Sequence, residues 1–159
     1  MADCLIILIA AMTHKRVIAN EKGLPWHIKD EIRHYRDIIR GKTIISGRKT
    51  FDEMGKPIGS HTIVVSHSDI SVKGVIAVKT LDEALKIAKE YGRDVYVIGG
   101  ASIFSQTINI ADKLYVSLIK GDYKGDKYFP RIDASKWSVE RKEIFPEFEY
   151  RVYKRKRNN

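Results

Sequence analysis

Short apolar runs punctuate this chain at regular intervals, with amphipathic stretches between them. CLIILIAA (4–11) and VYVI (95–98) are unbroken, the pattern of strands covered on both faces. Further strands are predicted at 43–46 (TIIS), 62–66 (TIVVS), 75–78 (VIAV) and 113–119 (KLYVSLI). Two alternating segments, 138–145 and 148–156, predict a closing hairpin at a sheet edge. Helical spacing fills the gaps. In TLDEALKIAKEYG, Thr80 and Glu83 form a capping box, Leu81, Ala84, Leu85 and Ala88 make the apolar stripe, and Gly92 ends the helix. A second helix is predicted over 28–40, with Ile32, Tyr35, Ile38 and Ile39 on one face, and shorter ones at 49–54 and 101–108. Strands alternating with helices imply right-handed crossovers. The expected fold is a single α/β domain. Its sheet is twisted, mostly parallel and of about eight strands, with a C-terminal antiparallel hairpin and about four flanking helices.

The bulk properties change this picture little. At 159 residues and 43% hydrophobic content, the chain suits one domain with a continuous core. No apolar run approaches the roughly 20 residues needed to cross a bilayer. The opening MADCLIILIAAM lacks a basic leader and a cleavage pattern, so it reads as a buried strand rather than a signal peptide. A single cysteine, Cys4, excludes an internal disulfide and a cysteine-rich zinc site, and points to a reducing cytoplasm and a place in the core. The five histidines, at 14, 27, 34, 61 and 67, have no metal-like spacing and read as loop or surface residues; no metal is expected. Lys and Arg outnumber Asp and Glu 29 to 20, a formal charge of +9. Such a field favours anionic ligands. KRKR at 154–157 is the most concentrated basic run and opens an expected flexible tail, 154–159.

Three loops, each following a strand, carry candidate chemistry. SGRKTF (46–51) joins a strand to a short helix: Gly47 permits a tight turn, and Arg48, Lys49 and Thr50 stand where backbone N–H groups are free, a plausible phosphate cradle. IGGAS (98–102) places Gly99 and Gly100 before another helix, so backbone can approach a ligand closely. It is not a G-x-G-x-x-G fingerprint. The third is NEKGLPW followed by HIKDE. Glu31 shares a helix face with Ile32 and Tyr35, so its carboxylate points toward an apolar lining where an unpaired charge is costly. Asp30 faces about 100° away and suits the helix start. Two phosphate-friendly turns and one ligand-seeking acid at strand carboxyl ends describe a cofactor-plus-substrate cleft. Spacing alone does not identify the reaction.

In order along the chain, LIAAMTHKRVIANEKGLPW, the acid five residues beyond Trp26, IISGRKTFDEMGKPI, TIVVS, VYVIGGASIF, KLYVSLI and GDKYFP resemble the dihydrofolate reductase family over nearly the whole length. The resemblance implies NADPH-dependent reduction of dihydrofolate, or a related dihydropterin, by a monomeric enzyme. Catalytic roles fall on Glu31, which would grip the pterin, and Trp26, which would order a proton-delivering water; residues 19–27 would form a lid. The substrate-binding set would be Ile9, Ala10, Ala11, Glu31, Ile32, Tyr35, Met54, Ile58, Ile98 and Ser117. For NADPH the likeness implies Ala11, Ile18, Gly47, Arg48, Lys49, Thr50, Ser66, His67, Gly99, Gly100, Ala101, Ser102, Ile103 and Phe104.

Departures from the family pattern accompany the likeness. The arginine that usually precedes the TIVVS-like strand and binds the folate α-carboxylate is absent; Ser60 or His61 stands there, and Arg33, Arg36 or Lys56 is expected to substitute. Phe104 replaces a common tyrosine, Ala19 a common glycine, and Ser102 an arginine found in some members. The missing tail arginine motivates an alternative, a reductase of another dihydropterin or of a pyrimidine precursor. The +9 charge motivates a nucleic-acid-binding module, which no recognisable nucleic-acid motif supports.

Overall fold

Eight strands form one sheet in the order β5-β4-β3-β6-β1-β7-β10-β9 in the computed structural model, which describes residues 4–57 and 59–156. They are β1 (Ile6–Thr13), β3 (Thr43–Gly47), β4 (His61–Val65), β5 (Val75–Val78), β6 (Val95–Val97), β7 (Lys113–Ile119), β9 (Trp137–Ile144) and β10 (Phe148–Arg155). The first six in spatial order run parallel, while β10 is antiparallel to both β7 and β9. A separate two-stranded ladder pairs β2 (Val17–Ala19) with β8 (Lys127–Tyr128). Four helices complete the set: α1 (Lys29–Ile39), α2 (Arg48–Met54), α3 (Leu81–Glu90) and α4 (Ala101–Thr107).

The unbroken apolar runs are the central strands, as expected of positions with a layer on each face. Residues Ile6, Leu8, Ala10 and Met12 of β1 join a core with Ala84, Leu85 and Ala88 of α3 and Ile103 and Phe104 of α4. Ile9 points the other way, toward Ile39, Ile44 and Ile98, with Tyr35 and Met54 packed against them. The alternation of one strand thus builds both layers. A third cluster joins Trp26 and Ile28 to Ile119, Phe148, Tyr150 and Val152. After β1 the chain moves outward through β3, β4 and β5, then returns to insert β6 between β3 and β1 before crossing to β7. Connections leaving β3 and β6 therefore diverge, which opens a crevice at the carboxyl ends of the strands.

Local chemistry sets the helix limits. Thr80 Oγ1 accepts from the Glu83 N–H at 3.1 Å, one half of the predicted capping box, and Gly92 closes α3 with φ +67°. The α1 helix has no side-chain cap at Ile28, but Asp30 and Glu31 occupy its first turn.

Three sequence expectations need correction. The first strand lies at 6–13 rather than 4–11, and Cys4 precedes it, half-buried rather than in the core. Two members of KRKR belong to β10 rather than to a tail: the Arg155 guanidinium donates to the Ile108 and Ala111 carbonyls at 2.7–3.0 Å and lies 4.4 Å from the Trp137 ring. Residues 157–159 are outside the described residues. The β2–β8 ladder was not anticipated, because three- and two-residue strands carry no readable period. Among the described residues, no helix is long and apolar enough to cross a membrane.

Candidate active site

The crevice is a cleft of about 1180 Å³ running across the strand carboxyl ends. Its floor is Ile9, Ala10 and Ala11 of β1, and one wall is α1, which presents Glu31, Ile32 and Tyr35. Met54 and Ile98 line it as well. On the other side lie Ile18, Gly47, Arg48, Lys49, Thr50, His67, Gly100, Ala101, Ser102, Ile103 and Phe104. The structure therefore brings most of the predicted residues to one surface. Ser117 and Trp26 stand behind it, and Ser66 and Gly99 contribute to its shape without lining it. Ile58 lies outside the described residues.

Glu31 is 4% exposed, and no cation pairs with it among the described residues. Burial pushes its carboxyl up to about 7, while a hydrogen bond with the Ser117 hydroxyl pulls the other way. Helical spacing sets Tyr35 one turn along; burial and then the Glu31 charge hold its phenol well above the usual range. Parallel pairing sets Ser117 opposite Ala11, so the acid's partner comes from the strand next to the floor. Trp26 packs in the cluster that Ala11 borders, and its Nε1 is buried with no partner among the described residues.

The two glycine turns touch each other. The Gly47 N–H donates to the Gly99 carbonyl at 2.7 Å, and a β-carbon on Gly47 would sit 3.4 Å from that oxygen. Gly99 has φ +104°, and a β-carbon there would come within 2.8 Å of the Phe104 ring. The Gly99–Gly100 peptide is cis. A side chain at Gly99 would strike the Phe104 ring, and one at Gly47 would press on the other turn, so the two turns meet this closely only as glycine backbone. Arg48 is held by Asp52 at 3.0 Å and by the Ser66 hydroxyl at 3.3 Å, and Ser66 in turn donates to the Ser68 carbonyl.

Charge is concentrated here. Seven Lys and Arg side chains line the cleft, namely Arg36, Arg40, Arg48, Lys49, Lys56, Lys79 and Lys127, against Glu31 and Glu53. Six of them fall into two groups, and the seventh, Lys127, belongs to β8. Arg48 and Lys49, His67 and Lys79 follow the carboxyl ends of β3, β4 and β5; Arg36 belongs to α1, Arg40 caps its C-terminus, and Lys56 follows α2. Sequence reasoning named neither Arg40 nor Lys79. Arg40 follows Arg36 by four residues at the C-terminal end of α1, and Lys79 directly follows a strand carboxyl end, so both signals were present. Of the candidate tail cations, Arg33 is exposed outside the cleft. Ser60 and His61 are also turned away: the Ser60 hydroxyl donates to the Gly41 carbonyl at 3.0 Å, and His61 stacks on Tyr91 at 3.5 Å.

Two histidines differ from expectation. His61 is half-buried under that stacking contact, and His34 packs edge-on against Tyr150 at 4.3 Å and near Phe145 and Phe148. An imidazole gains from such packing when neutral, and burial lowers the His34 pKa accordingly. No group of three or more His, Cys, Asp or Glu side chains suited to a metal ion occurs among the described residues.

Topologically this is an open α/β sheet of the nucleotide-binding kind, with a basic crevice where its connections diverge and one buried acid inside. Residues 5–157 match the family described as Dihydrofolate reductase. The dihydrofolate reductase of Bacillus subtilis is 34% identical over 137 residues, covering 85% of this chain and 81% of the relative. That of Haemophilus influenzae is 34% identical over 134 residues, covering 84% and 83%. The solved structure of dihydrofolate reductase from Enterococcus faecalis, complexed with NADP(H) and RAB-propyl, is similar at a TM-score of 0.85 and 28% identity, over 95% of this chain and 96% of the other. The chain belongs to the dihydrofolate reductase family.

Proposed function

We propose that this chain reduces 7,8-dihydrofolate to 5,6,7,8-tetrahydrofolate with NADPH as reductant, and that Glu31 is its central acid. The observation that carries the assignment of Glu31 is its isolation: a carboxyl buried without a cation, held near neutrality, inside a cleft otherwise lined by cations. A buried acid with no counter-ion in a ligand crevice is a functional group before it is a structural one.

The cleft fits NADPH. Its volume suffices for a dinucleotide beside a pterin, and glycine backbone forms one wall. Arg48, Lys79 and His67 suit the 2′-phosphate, with Lys49, Thr50 and the 99–103 turn toward the pyrophosphate. When bound, NADPH supplies the hydride that adds to pterin C6, leaving NADP+. Glu31 accepts paired hydrogen bonds from a pterin ring N–H and the exocyclic amino group, the fork geometry of strong charge-assisted pairs. By holding the ring it favours protonation at N5. Trp26 directs its free N–H toward a water that delivers this proton, and residues 19–27 close over the pair to exclude bulk solvent. One hydride and one proton thus add across the C6–N5 double bond.

Arg36, Arg40 and Lys56 take the benzoylglutamate carboxylates in place of the absent arginine. At about 1.5 Å rise per residue, Arg36 lies about 8 Å and Arg40 about 14 Å along the helix from Glu31, in reach of the far end of an extended ligand. Three cations at that end favour a folate tail over a tail-less pterin. Action as a cytoplasmic monomer completes the reading. The direct test is loss of NADPH absorbance with dihydrofolate, with tail-less dihydrobiopterin and with no acceptor. The reading expects turnover with dihydrofolate at the higher kcat/KM, and equal efficiency with the tail-less compound would remove folate as substrate.

A further inference from the structure

Residues 120–126 link β7 to β8 along the surface. Lys120, Gly121, Asp122, Lys124 and Asp126 are exposed, yet Tyr123 between them is half-buried. Its ring meets Trp26 edge-on, with centroids 5.6 Å apart and planes at 66°. Such pairs contribute beyond the area they bury. The inward turn is accommodated by Gly121, at φ +110°, where a β-carbon would come within 3.0 Å of the Tyr123 ring. The Tyr123 hydroxyl has no hydrogen-bond partner among the described residues, so the ring alone makes this contact.

The same segment grips the chain on the far side of the 20–25 loop. Lys127 pairs with Ala19 and Tyr128 with Val17, the Asp126 N–H donates to the Ala19 carbonyl at 3.2 Å, and Gly125 seats directly against that carbonyl. Asp122 forms an ion pair with Lys15 at 3.6 Å. The loop between Ala19 and Trp26 is thereby pinned at both ends by one stretch of chain: through backbone at the first end and through an aromatic ring at the second.

We infer that Tyr123 is a positioning residue, bracing the Trp26 indole and the C-terminal end of the 20–25 loop so that the indole N–H stays aimed. This rests on the role proposed above for Trp26. A brace of this kind acts on proton delivery rather than on cofactor affinity. Displacement of a positioned group by an ångström is worth up to about a hundredfold in rate, so Tyr123→Ala is expected to lower kcat roughly tenfold above neutral pH, where protonation limits the reaction. The deficit should shrink at acidic pH, and KM for NADPH should stay within about twofold, far less than the tenfold shift that a lost 1.4 kcal/mol contact would give. Tyr123→Phe, which keeps the ring, should restore the wild-type profile; Tyr123→Leu, which fills the space without an aromatic edge, should behave as Tyr123→Ala does.

A readout independent of turnover separates this inference from the functional reading. In protein labelled with 5-fluorotryptophan, the Trp26 resonance, assigned through Trp26→Phe, should broaden or split in Tyr123→Ala and Tyr123→Leu but not in Tyr123→Phe, with Trp137 unchanged. An unaltered Trp26 resonance in both ring-less variants would overturn the inference whatever the activity. So would a kcat loss that is equal at all pH values and shared by Tyr123→Phe. Absence of dihydrofolate turnover by the wild type would instead overturn the functional reading and leave the resonance test standing.

Discussion

Glu31 is where structure and chemistry conflict most openly. Its carboxyl rises from 4.5 to about 7 through burial, a displacement worth about 3 kcal/mol. Between these values the folded protein keeps a proton that the unfolded chain has lost. Stability therefore falls as pH rises through this window, and above pH 7 the full cost is borne. Glu31→Gln removes the charge while keeping the shape. It should raise thermal stability at pH 8 by up to about 3 kcal/mol and leave it little changed near pH 4, as calorimetry at the two values can measure. The same variant should lose most of its dihydrofolate reduction, the exchange of stability for activity that strained sites show. In the wild type the reaction consumes a proton delivered through water, so hydride transfer should slow as pH rises above neutrality, and Glu31→Gln should be slow across the whole range. At the tail end, Arg36→Ala should raise KM for dihydrofolate about tenfold, the worth of a charge-assisted hydrogen bond, without changing KM for the tail-less pterin. The sequence exposed Glu31 through its helix face, because an acid among Ile32 and Tyr35 violates the apolar stripe. It did not expose Ser117 as the partner except by resemblance, since that contact depends on β7 lying beside β1.

At the scale of elements, the 121–128 segment contacts the chain at both ends of the 20–25 loop. Gly125 faces the Ala19 carbonyl so closely that any β-carbon would overlap it. Gly125→Ala must therefore push β8 from β2. Its expected effect is faster amide exchange at Ala19 and Lys127 and a lower kcat, with melting temperature shifted by only a few degrees because the main sheet is untouched. Gly23 makes a fixed turn: it exchanges backbone hydrogen bonds with Asn20 at 2.8 and 3.0 Å and has φ +104°. The helix α3 gives a control away from the lid. Thr80→Ala removes the cap on Glu83 and should cost about 1 kcal/mol by denaturant titration. Long elements were legible in the sequence because eight or ten residues carry a period. The β2–β8 ladder was not, since its partners lie over a hundred residues apart and neither contains a full repeat.

For the whole molecule, the sheet order creates the crevice and the charge distribution fills it with positive potential. A formal +9 did not say where the charge would collect; the fold assembles Arg36, Arg40 and Lys56 from one pair of segments and Arg48, Lys49 and Lys79 from another. The strand alternation that sends Ile9 and Leu8 to opposite layers was readable directly, whereas the return of β6 between β3 and β1 was implied only by the family likeness. A focused positive cleft should capture NADPH and dihydrofolate more slowly as salt rises, so kcat/KM should fall between low ionic strength and about 0.15 M while kcat holds. The most direct test of the central claim compares single-turnover hydride transfer by the wild type and Glu31→Gln, with NADPH and dihydrofolate both saturating, at pH 7. The account predicts rapid transfer by the wild type and a loss of at least about a hundredfold in the variant, whose NADPH affinity is preserved. Equal rates in the two proteins would contradict it.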